Sequence, residues 1–138
     1  MSITIPLKIL IVDDMSSIRE ALIECLGSIG LESVFEAVDG DDATNIANEH
    51  AFSEDEPPFD VIFSDINMPN CNGLTFLQRM REHEVYEKTP ILMVTTENEA
   101  ATVLEAIEGG ADEYIIKPFD KEIVEKKLTS VLKKKNIL

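Results

Sequence analysis

The sequence predicts an α/β protein: a doubly wound sheet of five parallel strands wrapped by five helices. Two patterns carry that prediction. Strand-like and helix-like segments alternate five times along 138 residues, and strands one, three and four are nearly unbroken apolar runs. Such runs are what a parallel sheet needs when helices cover both its faces, and the segments between strands are long enough for crossover helices. The length fits one domain spanning 1–138, and a hydrophobic content of 44% suffices for a sizeable core.

Each element has its own signal. KILIV (8–12) is the first strand. SSIREALIECLGSIG (16–30) follows with Ile18, Leu22, Leu26 and Ile29 near helical spacing, Ser16 and Ser17 as cap candidates and a stop at Gly30. SVFEAV (33–38) is a less hydrophobic strand. DGDDATNIANEHA (39–51) is a helix with a thin apolar face, expected after a turn at Gly40. SEDEPP (53–58), three acids and two prolines, is an exposed loop. DVIFS (60–64) is strand three. LTFLQRMREHE (74–84) is helical with Leu74, Leu77 and Met80 or Arg81 on one face, and TPILMVTT (89–96) is strand four. ENEAATVLEAIEGG (97–110) is a helix closed by two glycines, a favourable C-terminal stop. DEYIIKPF (112–119) holds strand five, and DKEIVEKKLTSVLKKK (120–135) is the last helix, with Ile123, Val124, Leu128, Val131 and Leu132 as its stripe.

Charge and cysteine usage narrow the classes. With 27 acidic against 12 basic residues the net charge is -15, which opposes nucleic-acid binding through a generic basic surface. The N-terminus lacks the basic segment, long apolar core and cleavage site of a signal peptide, and no apolar run nears the about 20 residues needed to insert across a membrane. Cys25 falls in a helical pattern and Cys71 in a turn, which fits a reduced compartment, so a cytoplasmic protein is expected. Seven of the 12 basic residues lie between 117 and 135. They either complement the dipole of the last helix or mark a face with a partner preference.

The chemistry collects at strand ends. In a parallel α/β sheet ligands bind beyond the C-terminal ends of the strands. Here strand one ends at Asp13 and Asp14, strand three at Asp65, strand four at Thr95 and Thr96, and strand five at Lys117 before Pro118. Three carboxylates repel one another, so a divalent cation, the lysine or both must offset them. Hard oxygen ligands suit Mg2+. An ionised Asp65 could attack phosphorus and become an aspartyl phosphate, with the cation and Lys117 stabilising the phosphoryl oxygens and Thr95 donating to one of them.

Taken together, VDD (12–14), SDINMPNCNG (64–73), MVTTENE (93–99) and ADEYIIKPF (111–119) resemble the response-regulator receiver domain, closest to its stand-alone chemotaxis type, over roughly residues 8–135. The resemblance implies a flavodoxin-like sheet in the order 2-1-3-4-5. It implies Asp65 as phosphoacceptor, Asp13 and Asp14 as the acidic pair that organises Mg2+, and the backbone carbonyl of Asn67 as a further ligand. Thr95 takes the hydroxyl role that senses phosphorylation, Lys117 the phosphate-pairing role, and Tyr114 the aromatic switch role. Asn67, Thr96 and Glu97 match positions that tune phosphoryl lifetime, and Lys117-Pro118 is expected to be cis. Three departures stand out. Thr96 replaces a small alanine, Asn72 replaces an acid before Gly73, and the 53–58 loop lengthens the connection into strand three.

Simpler readings compete at several of these positions. Asp13 and Asp14 could cap a helix, Thr95 and Thr96 could merely end a strand, and Tyr114 could pack on the last helix without switching. Glu97 could be a first-turn helix charge. His50 and His83 lack ligand spacing and are expected at the surface, while Met68, Met80 and Met93 fit packing or turn roles.

The favoured function is a phosphorylation switch. It would take a phosphoryl group from a histidine kinase and bind a target, such as a flagellar motor switch protein, through helix four, strand five and helix five (98–107 and 112–132). No output domain is expected, and a monomer is, with phosphorylation-dependent dimerisation a family alternative. A phosphate sink or relay without a target differs in output and not in chemistry. An aspartyl-phosphate phosphatase would need an acid where Asn67 stands. An FMN carrier would need a phosphate loop where VDDMSS stands.

Overall fold

A computed structural model describes residues 3–96 and 100–138. The elements alternate as expected: β1 (Ile9–Val12), α1 (Ser16–Ser28), β2 (Val34–Ala37), α2 (Gly40–Ala51), β3 (Val61–Asp65), α3 (Gly73–Arg81), β4 (Ile91–Thr96), α4 (Ala100–Glu108), β5 (Glu113–Lys117) and α5 (Lys121–Lys134). All strands are parallel in the order β2-β1-β3-β4-β5. This is the flavodoxin-like arrangement, and β1 and β3 lie side by side where the strand order reverses.

Strand periodicity explains the unbroken apolar runs. Ile9, Ile11, Phe63, Leu92 and Val94 point to one face, where Leu22 and Leu26 of α1 and Val124, Leu128 and Leu132 of α5 cover them. Leu10, Val12, Ile62, Ile91 and Met93 point to the other, beneath Ala43 and Ala47 of α2, Phe76, Leu77 and Met80 of α3 and Ala106 of α4. Small alanines account for the thin apolar face of α2: Ala43 and Ala47 are its side chains buried in this core.

Helix starts differ from expectation in instructive ways. Ser16 and Ser17 do not cap α1; Met15 occupies the cap position with no side-chain bond. The Met15 amide is instead taken by Asp13 Oδ1 at 2.9 Å, so a site residue also sets the helix start. Gly40 opens α2 rather than turning ahead of it, and Asp39 caps the helix by accepting from the Asp42 N–H. Asn72 caps α3 by accepting from Thr75, and Asp120 caps α5 by accepting from Ile123. Helix α3 stops at Arg81, short of 84, and turns follow. The Arg81 guanidinium fastens these turns by donating to the carbonyls of Tyr86, Thr89 and Gly110 and to the Asp112 carboxylate.

Neither histidine is a plain surface residue. His50 is 12% exposed and stacked on Phe59, with the Phe35 ring edge-on to it. His83 is half-buried, stacked with Phe52, beside Tyr86 and bonded to Asn48. Lys8, at the mouth of β1, is buried at the centre of the His50 cluster. Its ammonium donates to Glu56 Oε2 (3.0 Å) and the Pro57 carbonyl (2.6 Å), and it meets His50 Nδ1. The 53–58 loop is exposed as expected, and Lys8 pins it to the N-terminal edge of the sheet.

Candidate functional site

Parallel register brings the strand ends to one edge: Val12 pairs with Ser64, Asp65 with Val94, and Thr96 with Lys117. Asp65 is itself the last residue of β3, one residue further along than the sequence suggested, and is buried with Asp13 and Thr95. Asp14 is exposed. Ligand oxygens of Asp13, Asp14 and Asp65 lie within 4.8 Å of one another, a set that can hold a divalent cation.

Lys117 reaches between two of these carboxylates, with Nζ 3.1 Å from Asp13 Oδ2 and 3.3 Å from Asp65 Oδ2. The other Asp65 oxygen accepts from the Ile66 N–H at 2.8 Å. Burial, and next the Asp13 charge, push the Asp65 pKa up to about 6 against the pull of Lys117. Burial works against the Lys117 ammonium, but Asp65 and Asp13 together outweigh it and raise its pKa.

Two buried atoms mark what the protein leaves open. Among the described residues, Thr95 Oγ1 has no hydrogen-bond partner, and Asp13 Oδ2 has the ammonium nearby but no hydrogen-bond donor in line. Unsatisfied buried oxygens are rare and costly, of order 1–3 kcal/mol each, so their position in the cation cluster and beside it fits a site that a cation and an anionic group complete. The carboxylate set and the Asp13 oxygen fit Mg2+; a hydroxyl such as Thr95 fits a phosphoryl oxygen.

The remaining predicted residues are placed as follows. Asn67 is exposed, two residues beyond Asp65, and Thr96 is partly buried beside Lys117 on the neighbouring strand. Tyr114 is half-buried, with Lys127 Nζ 4.6 Å from its ring centroid. The Lys117-Pro118 bond is cis. Glu97 lies outside the described residues.

Sequence reasoning passed over two residues that shape the site. Gly73 starts α3 directly against the end of β3: its amide donates to the Ile66 carbonyl at 2.8 Å, and a Cβ there would sit 1.9 Å from the Asp65 carbonyl oxygen. No side chain fits, so glycine is a condition of the Asp65 position. Arg19 is the other, with Nη1 donating to the Asp13 carbonyl oxygen at 2.8 Å. Its signal in the sequence was its isolation, as the only Lys or Arg between Lys8 and Arg79.

Fold and site together define a class. Residues 9–129 match the response regulator receiver domain, and the chain belongs to that family. It is a receiver of the kind used in two-component signalling, and its aspartate cluster can hold a divalent cation. The chain is 37% identical over 126 residues to a chemotaxis protein CheY homolog of Campylobacter jejuni, covering 91% of this chain and 92% of that protein. It is 35% identical to chemotaxis protein CheY1 of Helicobacter pylori, covering 91% and 97%. Among solved structures, the chemotaxis response regulator CheY4 of Vibrio cholerae matches with a TM-score of 0.79 at 38% identity, over 93% of this chain and all of that one. Among the described residues no helix is long and apolar enough to cross a membrane.

Proposed function

We propose that this protein is a stand-alone response regulator that accepts a phosphoryl group from a histidine kinase on Asp65 and then switches its binding to a target protein in chemotaxis, at the flagellar motor. The observation that carries this reading is the pairing of a buried Asp65 with Lys117 beside the partnerless Thr95 hydroxyl. The nucleophile is the Asp65 carboxylate, ionised above a pKa of about 6 and in no need of a general base. One of its oxygens forms the P–O bond as the P–N bond to the kinase histidine breaks, and the leaving imidazole keeps the electron pair. Mg2+ held by Asp13, Asp14, Asp65 and the Asn67 carbonyl would supply charge to the phosphoryl oxygens and neutralise the carboxylates.

Lys117 is within reach of the Asp65 oxygen that would carry the phosphoryl group, so the ammonium would follow that group, loosening its hold on Asp13. Thr95 gains the acceptor it lacks. Tyr114, on the same strand as Lys117, would turn inward, and the α4, β5 and α5 face would settle into the packing that the target prefers. Asn67, Thr96 and Glu97 would set how long the phosphoryl group stays. A monomer is the proposed resting state.

With Mg2+ and acetyl phosphate, intact mass is expected to show one added phosphoryl group, absent in Asp65→Asn. Equal labelling of that variant would remove Asp65 from the role. Lys117→Ala should keep Mg2+ binding and lose the phosphorylation-driven NMR shifts in α4; full retention of those shifts would assign coupling elsewhere. Pull-down with phosphorylated protein separates outputs: recovery of a flagellar switch protein supports motor control, and recovery of the kinase alone makes the protein a phosphate sink.

A further inference from the structure

Asp13 and Asp14 share one peptide unit, and its orientation decides where both carboxylates leave the backbone. The strand ladder does not hold its carbonyl, because Val12 is the last residue of β1 paired with β2 and β3. The amide of Asp13 donates to Ala37 at 3.1 Å, and the side chain accepts from Met15. The Asp13 carbonyl instead accepts from Arg19 Nη1 at 2.8 Å. Arg19 is in turn held by Glu36 on the edge strand β2, its Nε donating to Glu36 Oε1 at 2.9 Å. The Arg19 side chain is half-buried, with an exposure of 15%. Its planar fork lets one group meet a carbonyl and a carboxylate at once, which a lysine ammonium does less rigidly.

We propose that Arg19 is a positioning residue for the divalent-cation site: it fixes the Asp13–Asp14 peptide so that both carboxylates are pre-aimed, and Glu36 anchors it. This rests on the aspartate cluster being a cation site. Its charge pulls the other way, since a guanidinium near a cation site weakens cation binding while Glu36 offsets it. The two effects have opposite signs, so measurement separates them.

The test is Mg2+ titration of the unphosphorylated protein, followed by amide NMR shifts of residues 13–15 and 65–67 at fixed ionic strength. Outer partners of metal ligands are worth about 10–100-fold in affinity, and one acting through the backbone is expected near the low end. Arg19→Met should therefore weaken Kd about five- to tenfold, with Arg19→Lys, which keeps the charge, weaker than wild type by at least about threefold. Glu36→Gln should weaken Kd less than either. Denaturation midpoints confirm that the variants are folded, and Arg19→Lys serves if Arg19→Met is not. Tighter binding in Arg19→Met would reduce the residue to a repelling charge, and unchanged binding in Arg19→Lys would leave it structural; either overturns the proposal. Absence of Mg2+-dependent shifts in the wild type overturns the cation-site reading itself and the inference with it.

Discussion

Two lysines sit at opposite ends of the same sheet, Lys8 buried and Lys117 half-buried, and their surroundings differ in kind. Lys8, at the N-terminal edge, has three ammonium protons and three acceptors: Glu56, the Pro57 carbonyl and His50. The rings of Phe35 and Phe59 lie 5.0 and 4.9 Å from it. Lys117, at the C-terminal edge, faces two carboxylates, and at the same edge the Thr95 hydroxyl has no partner among the described residues. A buried charge with every valence met is held for the fold. A half-buried charge among unmet oxygens leaves room for a ligand to complete the set. Burial alone does not distinguish them; satisfaction does.

The contrast can be broken at either edge. The largest effect is expected from Gly73→Ala, which forces a Cβ onto the Asp65 carbonyl. Stability should fall by about 3 kcal/mol and acetyl phosphate labelling by more than about tenfold, while hydrogen exchange of 53–58 stays as in wild type. Labelling at the wild-type rate would show that α3 can retreat without moving Asp65.

Lys8→Met should cost about 2 kcal/mol in urea denaturation, because buried acceptors lose their donor although Glu56 stays hydrated. Labelling of Asp65 should remain within about twofold; a larger drop would mean that the two edges communicate.

Asp65→Asn should act in the opposite direction. The folded metal-free protein binds a proton at Asp65 more tightly than the unfolded chain does, with a pKa of about 6. Stability from this group is full below the ordinary aspartate value of about 4 and is lost as pH rises through about 6. The asparagine variant should therefore be about 1–2 kcal/mol more stable than wild type at pH 7 without Mg2+, allowing for solvent screening, and the difference should shrink below about pH 4. Equal stability of the two at pH 7 would mean that Lys117 fully offsets the burial.

The smallest stability change belongs to Thr95→Val. A hydroxyl without a partner contributes nothing to the unphosphorylated fold, so ΔΔG should lie within about 0.5 kcal/mol. Phosphorylation-driven shifts in α4 should nevertheless diminish. A loss of more than about 1.5 kcal/mol would reveal a bond to Thr95 in solution.

Strand ends were legible because an apolar run that stops at Asp, Thr or Lys announces both the strand and what it presents. Asp13, Asp65, Thr95 and Lys117 were found that way and do converge. The order of the strands came from family resemblance, since local periodicity says which residues form a strand and not which strand lies beside it. Tertiary contacts hid the rest. Ser16 and Ser17 looked like caps, but Asp13 had taken the amide that starts the helix. His50 looked exposed on a polar helix, and only the approach of Phe35, Phe59 and Lys8 from distant segments buries it. Gly73 was passed over because nothing local reveals a carbonyl in the way.

The four strands that build the site give it an order of assembly. Asp13 and Asp65 are synthesised well before Lys117, which arrives on an edge strand docked against β4. Until that strand docks, the carboxylates of Asp13 and Asp65 lack the Lys117 ammonium. The Asp13, Asp65 and Lys117 arrangement is therefore complete only once the last strand of the sheet is in place.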